Sequence, residues 1–194
     1  MSAQQEAQRR LTAWLDRIQG SRRHAPTAMV LATVDARGRP SVRMVLLKGV
    51  DARGLVFYTN TRSRKGRQLR ANRHAALCFC WDLLKEQVTI EGDVEPVSDE
   101  DADAYWATRD RASQVGAWAS LQSEPLPNRA ALRARVARYA AKFAGRPVPR
   151  PRHWSGYRLV PARIEFWKAR PFRLHERVLY ERRGGRWVKQ LLYP

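Results

Sequence analysis

A chain of 194 residues, 44% apolar and with seven Trp, is long enough for one domain with a real core and too apolar for a disordered basic tail. Its formal charge of +19 favours nucleic acid, anionic membrane or phosphorylated small molecules as partners, without choosing among them. No apolar run approaches bilayer-spanning length, and the polar start Met1-Ser2-Ala3-Gln4-Gln5-Glu6 lacks a signal-peptide core, so a cytoplasmic protein is expected.

In chain order, Ala7, Leu11, Trp14, Leu15 and Ile18 follow helical spacing and predict an amphipathic opening helix, residues 1–20, ending near Gly20. Everything from 21 to 194 reads as a single further unit. Thr27 to Val34 is an apolar, β-rich run, and Asp35-Ala36-Arg37-Gly38 turns it into a second, Ser41 to Lys48. The same tetrapeptide returns at Asp51–Gly54, before Leu55 to Thr59. A helix is expected over Ser63–Asn72, then strands near Ala75–Trp81 and Gln87–Val97. Cys78 and Cys80 on the first of these share a face; a disulfide between them is geometrically poor and a metal site lacks further thiolates, so buried thiols are expected. Ser98-Asp99-Glu100-Asp101 has the form of a helix start. A helix over Asn128–Phe143 should carry Leu132, Val136, Tyr139 and Phe143 on one stripe and stop at Gly145. After the Pro147–Pro151 connector come two or three strands, with a hairpin at Gly184-Gly185. The sum is mainly antiparallel β with flanking helices, one barrel-like domain.

Four clusters suit anions. Arg43-Met44-Val45-Leu46-Leu47-Lys48 places Arg43 and Lys48 on opposite faces of a strand, where they serve two anions or merely form its charged rim. Tyr58-Thr59-Asn60-Thr61-Arg62-Ser63-Arg64-Lys65 leads from a strand into a helix start, where unbonded backbone N–H groups and the helix dipole add to the cations. Its spacing is not that of a P-loop, which disfavours nucleoside-triphosphate hydrolysis. Tyr105, Arg109 and Ser113, four residues apart, line one face of a helix if that stretch is helical. Arg173, His175 and Arg177, if on a strand, make a cationic wall on one side, next to an aromatic such as Trp167.

In this order the clusters resemble the pyridoxine (pyridoxamine) 5′-phosphate oxidase family, over Thr27 to Pro194. The resemblance rests on Arg43…Leu46-Leu47-Lys48, Phe57-Tyr58-Thr59-Asn60…Ser63-Arg64-Lys65, Ser113-Gln114-Val115-Gly116-Ala117-Trp118…Gln122-Ser123, and Glu165-Phe166-Trp167…Arg173-Leu174-His175. It implies an FMN-binding split β-barrel, antiparallel and homodimeric, with the flavin at the subunit interface. FMN would contact Arg43, Met44, Val45, Leu46, Leu47, Lys48, Tyr58, Thr59, Arg64, Lys65, Gln87, Gln122, Ser123, Trp167 and Arg177. The substrate phosphate would fall to Lys48, Tyr105, Arg109 and Ser113, with Arg173, Leu174 and His175 at the pyridine ring and Arg173 and His175 in the catalytic role. The implied reaction oxidises pyridoxine or pyridoxamine 5′-phosphate to pyridoxal 5′-phosphate and passes the electrons to O₂, giving H₂O₂.

The chain also departs from the family pattern. Ala25 stands where an Asp is common, Trp154-Ser155-Gly156 replaces Trp-Gly-Gly, Glu176 replaces Asp, and the tail lacks the family's Arg. Ala25 and the short N-terminus favour an alternative, a related split-barrel oxidase of the phenazine-biosynthesis type; Tyr105, Arg109 and Ser113 argue against it. Nucleic-acid binding, a third class, has no recognition-helix, zinc or aromatic RNA motif behind it.

Overall fold

The computed structural model describes residues 1–20, 27–81 and 85–194, so Ala25 lies outside the described residues. Helix α1 (Ala3–Gln19) starts at a reciprocal capping box between Ser2 and Gln5 and ends at Gly20. It buries Ala7, Leu11, Trp14, Leu15 and Ile18, the stripe expected from the spacing. Trp14 meets Phe79 edge-on at 5.8 Å. Its indole N–H also donates to Glu86, which is bound by Arg17 and by Lys168 as well. Glu6 at the other end accepts from Tyr180 and Lys189, so both ends of α1 are tied to the sheet.

The strands are β1 (Ala28–Val34), β2 (Pro40–Leu46), β3 (Gly49–Asp51), β4 (Gly54–Asn60), β5 (His74–Trp81), β6 (Glu86–Pro96), β7 (Trp154–Lys168), β8 (Glu176–Arg183) and β9 (Arg186–Leu192). Every pairing is antiparallel, in the order β2-β1-β5-β6-β7-β4-β3, with β8 on β7 and β9 on β8. Met29, Leu31, Leu77, Phe79, Val88 and Ile90 fill the core by strict alternation. That alternation puts Cys78 and Cys80 on the opposite face. Cys78 is half-buried and Cys80 is exposed, which corrects the expectation of buried thiols.

β7 organises the rest. Along one edge it pairs with β6 throughout. Along the other, Trp154–Leu159 pair with β4 and Arg163–Lys168 with β8. Pro161, which has no N–H to give, lies where one neighbour has ended and the next has not begun. Opposite it the register slips at Glu91/Gly92, and a Cβ on Gly92 would sit 2.0 Å from the Val160 carbonyl oxygen. Only glycine permits this bulge, which bends the paired strands and helps curl the sheet.

Helices α2 (Arg64–Ala71), α3 (Asp99–Ala107), α4 (Arg111–Ala119) and α5 (Arg129–Lys142) flank the sheet. The α5 stripe is only partly covered: Phe143 is buried and Leu132 and Tyr139 half-buried, while Val136 is exposed. Arg135 instead reaches back to the Ala119 carbonyl.

Candidate functional site

A second, smaller core of Trp106, Val115, Phe143, Val148 and Trp154 lies apart from the barrel core. On it sits a cleft of about 310 Å³, lined by Met44, Val45, Leu46, Lys48, Tyr58, Thr59, Asn60, Lys65, Tyr105, Arg109, Ala117, Ser120, Gln122 and Trp154.

The wall from β2 follows from its edge position. Its side chains alternate, with Val42, Met44 and Leu46 exposed. β2 stops at Leu46; Leu47 then turns into the core and its N–H bonds to Thr27, while the Lys48 N–H bonds to Val56. That turn delivers Lys48 to the cleft. With its side chain buried, Leu47 has only its backbone to offer a ligand. Arg43 faces the other way, as parity requires. Its guanidinium donates to the Leu31 carbonyl (2.9 Å), Thr33 Oγ1 (2.7 Å), Ser41 Oγ (2.6 Å) and Gln68 Oε1 (3.2 Å). Burial, with the Arg64 charge nearby, lowers its pKa.

The floor comes from β4. The Tyr58 ring lies flat over β7, where a Cβ on Gly156 would come within 2.8 Å of it. Tyr58, Tyr105 and Trp154 stack nearly parallel: 4.2 Å between the tyrosines, 5.3 Å between Tyr58 and Trp154, 6.0 Å between Tyr105 and Trp154. Burial, followed by Asp101 and Tyr105, raises the Tyr58 pKa, and its hydroxyl donates to the Asp101 carbonyl.

Ser63 caps α2, accepting from the Gly66 N–H. Among the described residues, Lys65, in its first turn, has only neutral oxygens as hydrogen-bond acceptors: Thr59 Oγ1 (3.2 Å), Ser63 Oγ (3.4 Å) and Gln122 Oε1 (3.3 Å). Burial and then Arg43 lower its pKa.

Tyr105, Arg109 and Ser113 do not share one helix, which corrects the expectation. α3 ends at Thr108, whose hydroxyl returns to the Tyr105 carbonyl, and Asp110 caps α4 by accepting from the Ser113 N–H at 2.8 Å. The Ser113 hydroxyl first, then that cap and the Arg109 charge, hold the Asp110 carboxyl below its ordinary range. Tyr105 and Arg109 line the cleft, and Ser113 is not part of its lining. Arg109 donates to the Ser113 carbonyl at 3.3 Å, while its buried Nε has no hydrogen-bond partner among the described residues.

The remaining expected residues lie elsewhere. Gln87, Trp167 and Arg177 form a row in register across β6, β7 and β8. Arg173, His175 and Arg177 are not on one strand. Pro171 opens a single 3₁₀ turn, Phe172 and Arg173 take positive φ (57° and 62°), and β8 begins only at Glu176. His175 packs on Trp167 at 4.6 Å, and Arg177 is bound to Glu165 at 2.7 Å, so the cationic wall is broken by a carboxylate. Leu174 is exposed; neither Arg64 nor Ser123 lines the cleft, and Ser123 has φ 74°. Sequence reasoning passed over Trp154 as a site residue; its pairing opposite Asn60 and its stacking on Tyr58 and Tyr105 emerge only in the fold.

Comparisons with known proteins fit this geometry. Residues 18–143 match the family profile described as pyridoxamine 5′-phosphate oxidase, and residues 154–194 match the pyridoxine 5′-phosphate oxidase C-terminal dimerisation region. A pyridoxine/pyridoxamine 5′-phosphate oxidase of Myxococcus xanthus is 63% identical over 87% of this chain and 82% of its own. One from Rhodospirillum rubrum is 55% identical over 93% and 92%. Among solved structures, PhzG from Burkholderia lata, in complex with tetrahydrophenazine-1-carboxylic acid, superposes with TM-score 0.89 at 38% identity, over 95% of this chain and 90% of that one. A pyridoxamine 5′-phosphate oxidase-related, FMN-binding protein from Nostoc punctiforme gives 0.75 at 22% identity, over 96% of each chain, a likeness of fold. The antiparallel split barrel, its second core and these matches together establish that the chain belongs to the pyridoxamine 5′-phosphate oxidase family.

Proposed function

We propose that the protein oxidises pyridoxine or pyridoxamine 5′-phosphate to pyridoxal 5′-phosphate with FMN as cofactor and O₂ as electron acceptor, yielding H₂O₂ and, from the amine, ammonia released as water hydrolyses the imine. One observation carries this reading: Lys48, Tyr105 and Arg109 share a single cleft with Met44–Leu46, Tyr58, Thr59, Lys65 and Gln122. The donor set fits two phosphate monoesters. Lys65 offers a partly desolvated charge bonded only to neutral oxygens. Lys48, the Tyr105 hydroxyl and the Arg109 guanidinium offer a second group of donors. An unpartnered buried N–H such as Arg109 Nε costs about 1–3 kcal/mol, which an anion drawn to this guanidinium would offset.

FMN, when bound, supplies the hydride acceptor and its reoxidation by O₂. The protein's own contribution is positional. Met44 and Leu46 give an apolar wall, Tyr58 and Thr59 a floor, and Lys65 with Gln122 a polar end. Lys48, Tyr105 and Arg109 grip the substrate phosphate and so fix where its reacting carbon lies. Gln87, Trp167, Arg173, His175 and Arg177 line no part of this cleft, and we assign them to it from the second subunit of a homodimer. The exposed Val42, Met44 and Leu46 on an edge strand, and the exposed Leu174, support such an interface.

The test is formation of pyridoxal 5′-phosphate, with matching H₂O₂, from either substrate by FMN-loaded protein. No product from either overturns the reading. The structural likeness to PhzG favours one other reading, an oxidase of an unphosphorylated tricyclic acid. Turnover of unphosphorylated ligand in preference to the phosphate ester would select it.

A further inference from the structure

We infer that Trp154 is a positioning residue for substrate: its indole face holds the Arg109 guanidinium in place while leaving the charge of that guanidinium available to a phosphate. The inference rests on the function proposed above.

Arg109 has an awkward address. It sits in the break between α3 and α4, outside regular structure, on a side chain with many rotamers. Among the described residues only one hydrogen bond holds the head group, the 3.3 Å contact to the Ser113 carbonyl, and no carboxylate makes an ion pair with it, although the Asp110 charge next to it in the chain acts on it. What fixes it is aromatic. The guanidinium carbon lies 4.8 Å from the Trp154 ring centroid and 5.7 Å from that of Trp106.

These rings are themselves fixed. Trp106 and Trp154 meet edge to face at 4.9 Å, each 5% exposed, and the Trp106 indole N–H donates to the Val148 carbonyl at 2.9 Å. Trp154 also starts β7 opposite Asn60 and continues the stack of Tyr58 and Tyr105. One ring thus touches both the guanidinium and the phenol assigned to the substrate phosphate.

The choice of an aromatic has a physical reason. A carboxylate would fix the arginine as firmly but would cancel the charge needed by an incoming anion, as Glu165 does for Arg177. A π face attracts the cation through its quadrupole and adds no net charge, so the positive charge stays available to the ligand.

The experiment compares Trp154→Leu and Trp154→Phe with wild type in FMN-loaded dimer, alone and in an Arg109→Ala background. Steady-state kinetics are joined to equilibrium binding of pyridoxal 5′-phosphate and to FMN affinity. The expected result is a KM increase of about tenfold for Trp154→Leu with kcat changed by less than about threefold. Trp154→Phe should recover most of the loss, and FMN affinity should hold. In the Arg109→Ala background, Trp154→Leu should add little, because the group it positions is gone. Equal losses in both backgrounds, or parallel loss of FMN and product binding, would make Trp154 merely structural and overturn the inference. If Trp154→Leu fails to fold, Trp154→Met, which keeps volume but has no π face, takes its place in the same coupling with Arg109→Ala. Wild-type protein that binds no phosphorylated ligand overturns the proposed function and this inference with it; wild-type binding matched by the variant overturns the inference alone.

Discussion

The cleft beside β2 and β4 and the row across β6, β7 and β8 both carry arginines, but they treat the charge differently. In the cleft region Arg43 donates to four neutral oxygens, Lys65 to three, and Arg109 to one carbonyl and two indole faces. Across the strands Arg177 is bound to Glu165, Arg163 to Glu91 and Lys168 to Glu86. The first region holds its cations without a direct carboxylate contact among the described residues, Asp110 acting on Arg109 through charge alone, whereas the second pairs its cations with acids as it folds. A formal charge of +19 says nothing about this division. Where acids are absent is where an anion is wanted, and the structural cost of holding bare charge there is borne by hydrogen bonds and aromatic rings.

The sharpest way to break the comparison is Arg109→Ala. It should lower kcat/KM for pyridoxamine 5′-phosphate by about 100-fold or more while FMN affinity moves by less than about threefold. Equal loss of both in a flavin titration would merge the two anion sites into one. Next comes Lys65→Met, expected to weaken FMN binding by about tenfold yet raise the melting temperature of FMN-free protein by about 2 °C. The sign follows from linkage. A lysine whose folded pKa is lowered penalises the folded state below that value, and the penalty is relieved as pH rises toward the ordinary 10.5. A melting temperature that falls on substitution would show that Lys65 is compensated after all.

The paired region responds to pH in the same sense but at the acid end, and there the charged form stabilises the fold instead of penalising it. Burial pushes the Glu86 carboxyl up, but the Lys168 hydrogen bond, the Arg17 and Lys168 charges and Trp14 outweigh it and leave the pKa lowered from 4.5. Its stabilising contribution is therefore present above pH 4.5 and lost as pH falls through the folded value. Glu86→Gln should cost about 1–3 kcal/mol at neutral pH and flatten the acid limb of a denaturation curve. An unchanged acid limb would remove Glu86 from the account. The smallest effect is expected from Ser63→Ala, about 1 kcal/mol from the lost α2 cap, read by urea denaturation.

Much of the scaffold was legible because period-two alternation and Gly-bearing turns act locally. Ser63 and Asn72 cap α2 at the two ends of the helix expected over them, and the α1 stripe is buried as spaced. Arg43 facing inward was legible from parity, whereas Lys48 reaches the cleft through the turn after β2, which parity along a strand does not describe. What failed was continuity. Residues at intervals of four suggest one helix through Tyr105, Arg109 and Ser113, but Asp110 competes for the backbone as a cap and breaks it. Alternation suggested one strand through Arg173 to Arg177, but Pro171 sets a turn first. Trp154 was missed because its partners come from α3 and from the break that follows it, an encounter that no local pattern encodes.

β7 leaves a last consequence in its length. Trp154 at one end serves the cleft and Trp167 toward the other end serves the opposite row, and one strand joins them, its alternation offset once by the extra residue Ala162 at the bulge. Adding or deleting one residue between them would rotate everything downstream by half a turn, swinging Glu165 and Trp167 to the wrong side while Trp154 stayed in place. The spacing is therefore quantised: it tolerates change only in steps of two, or of one where the Gly92 irregularity could absorb the odd residue.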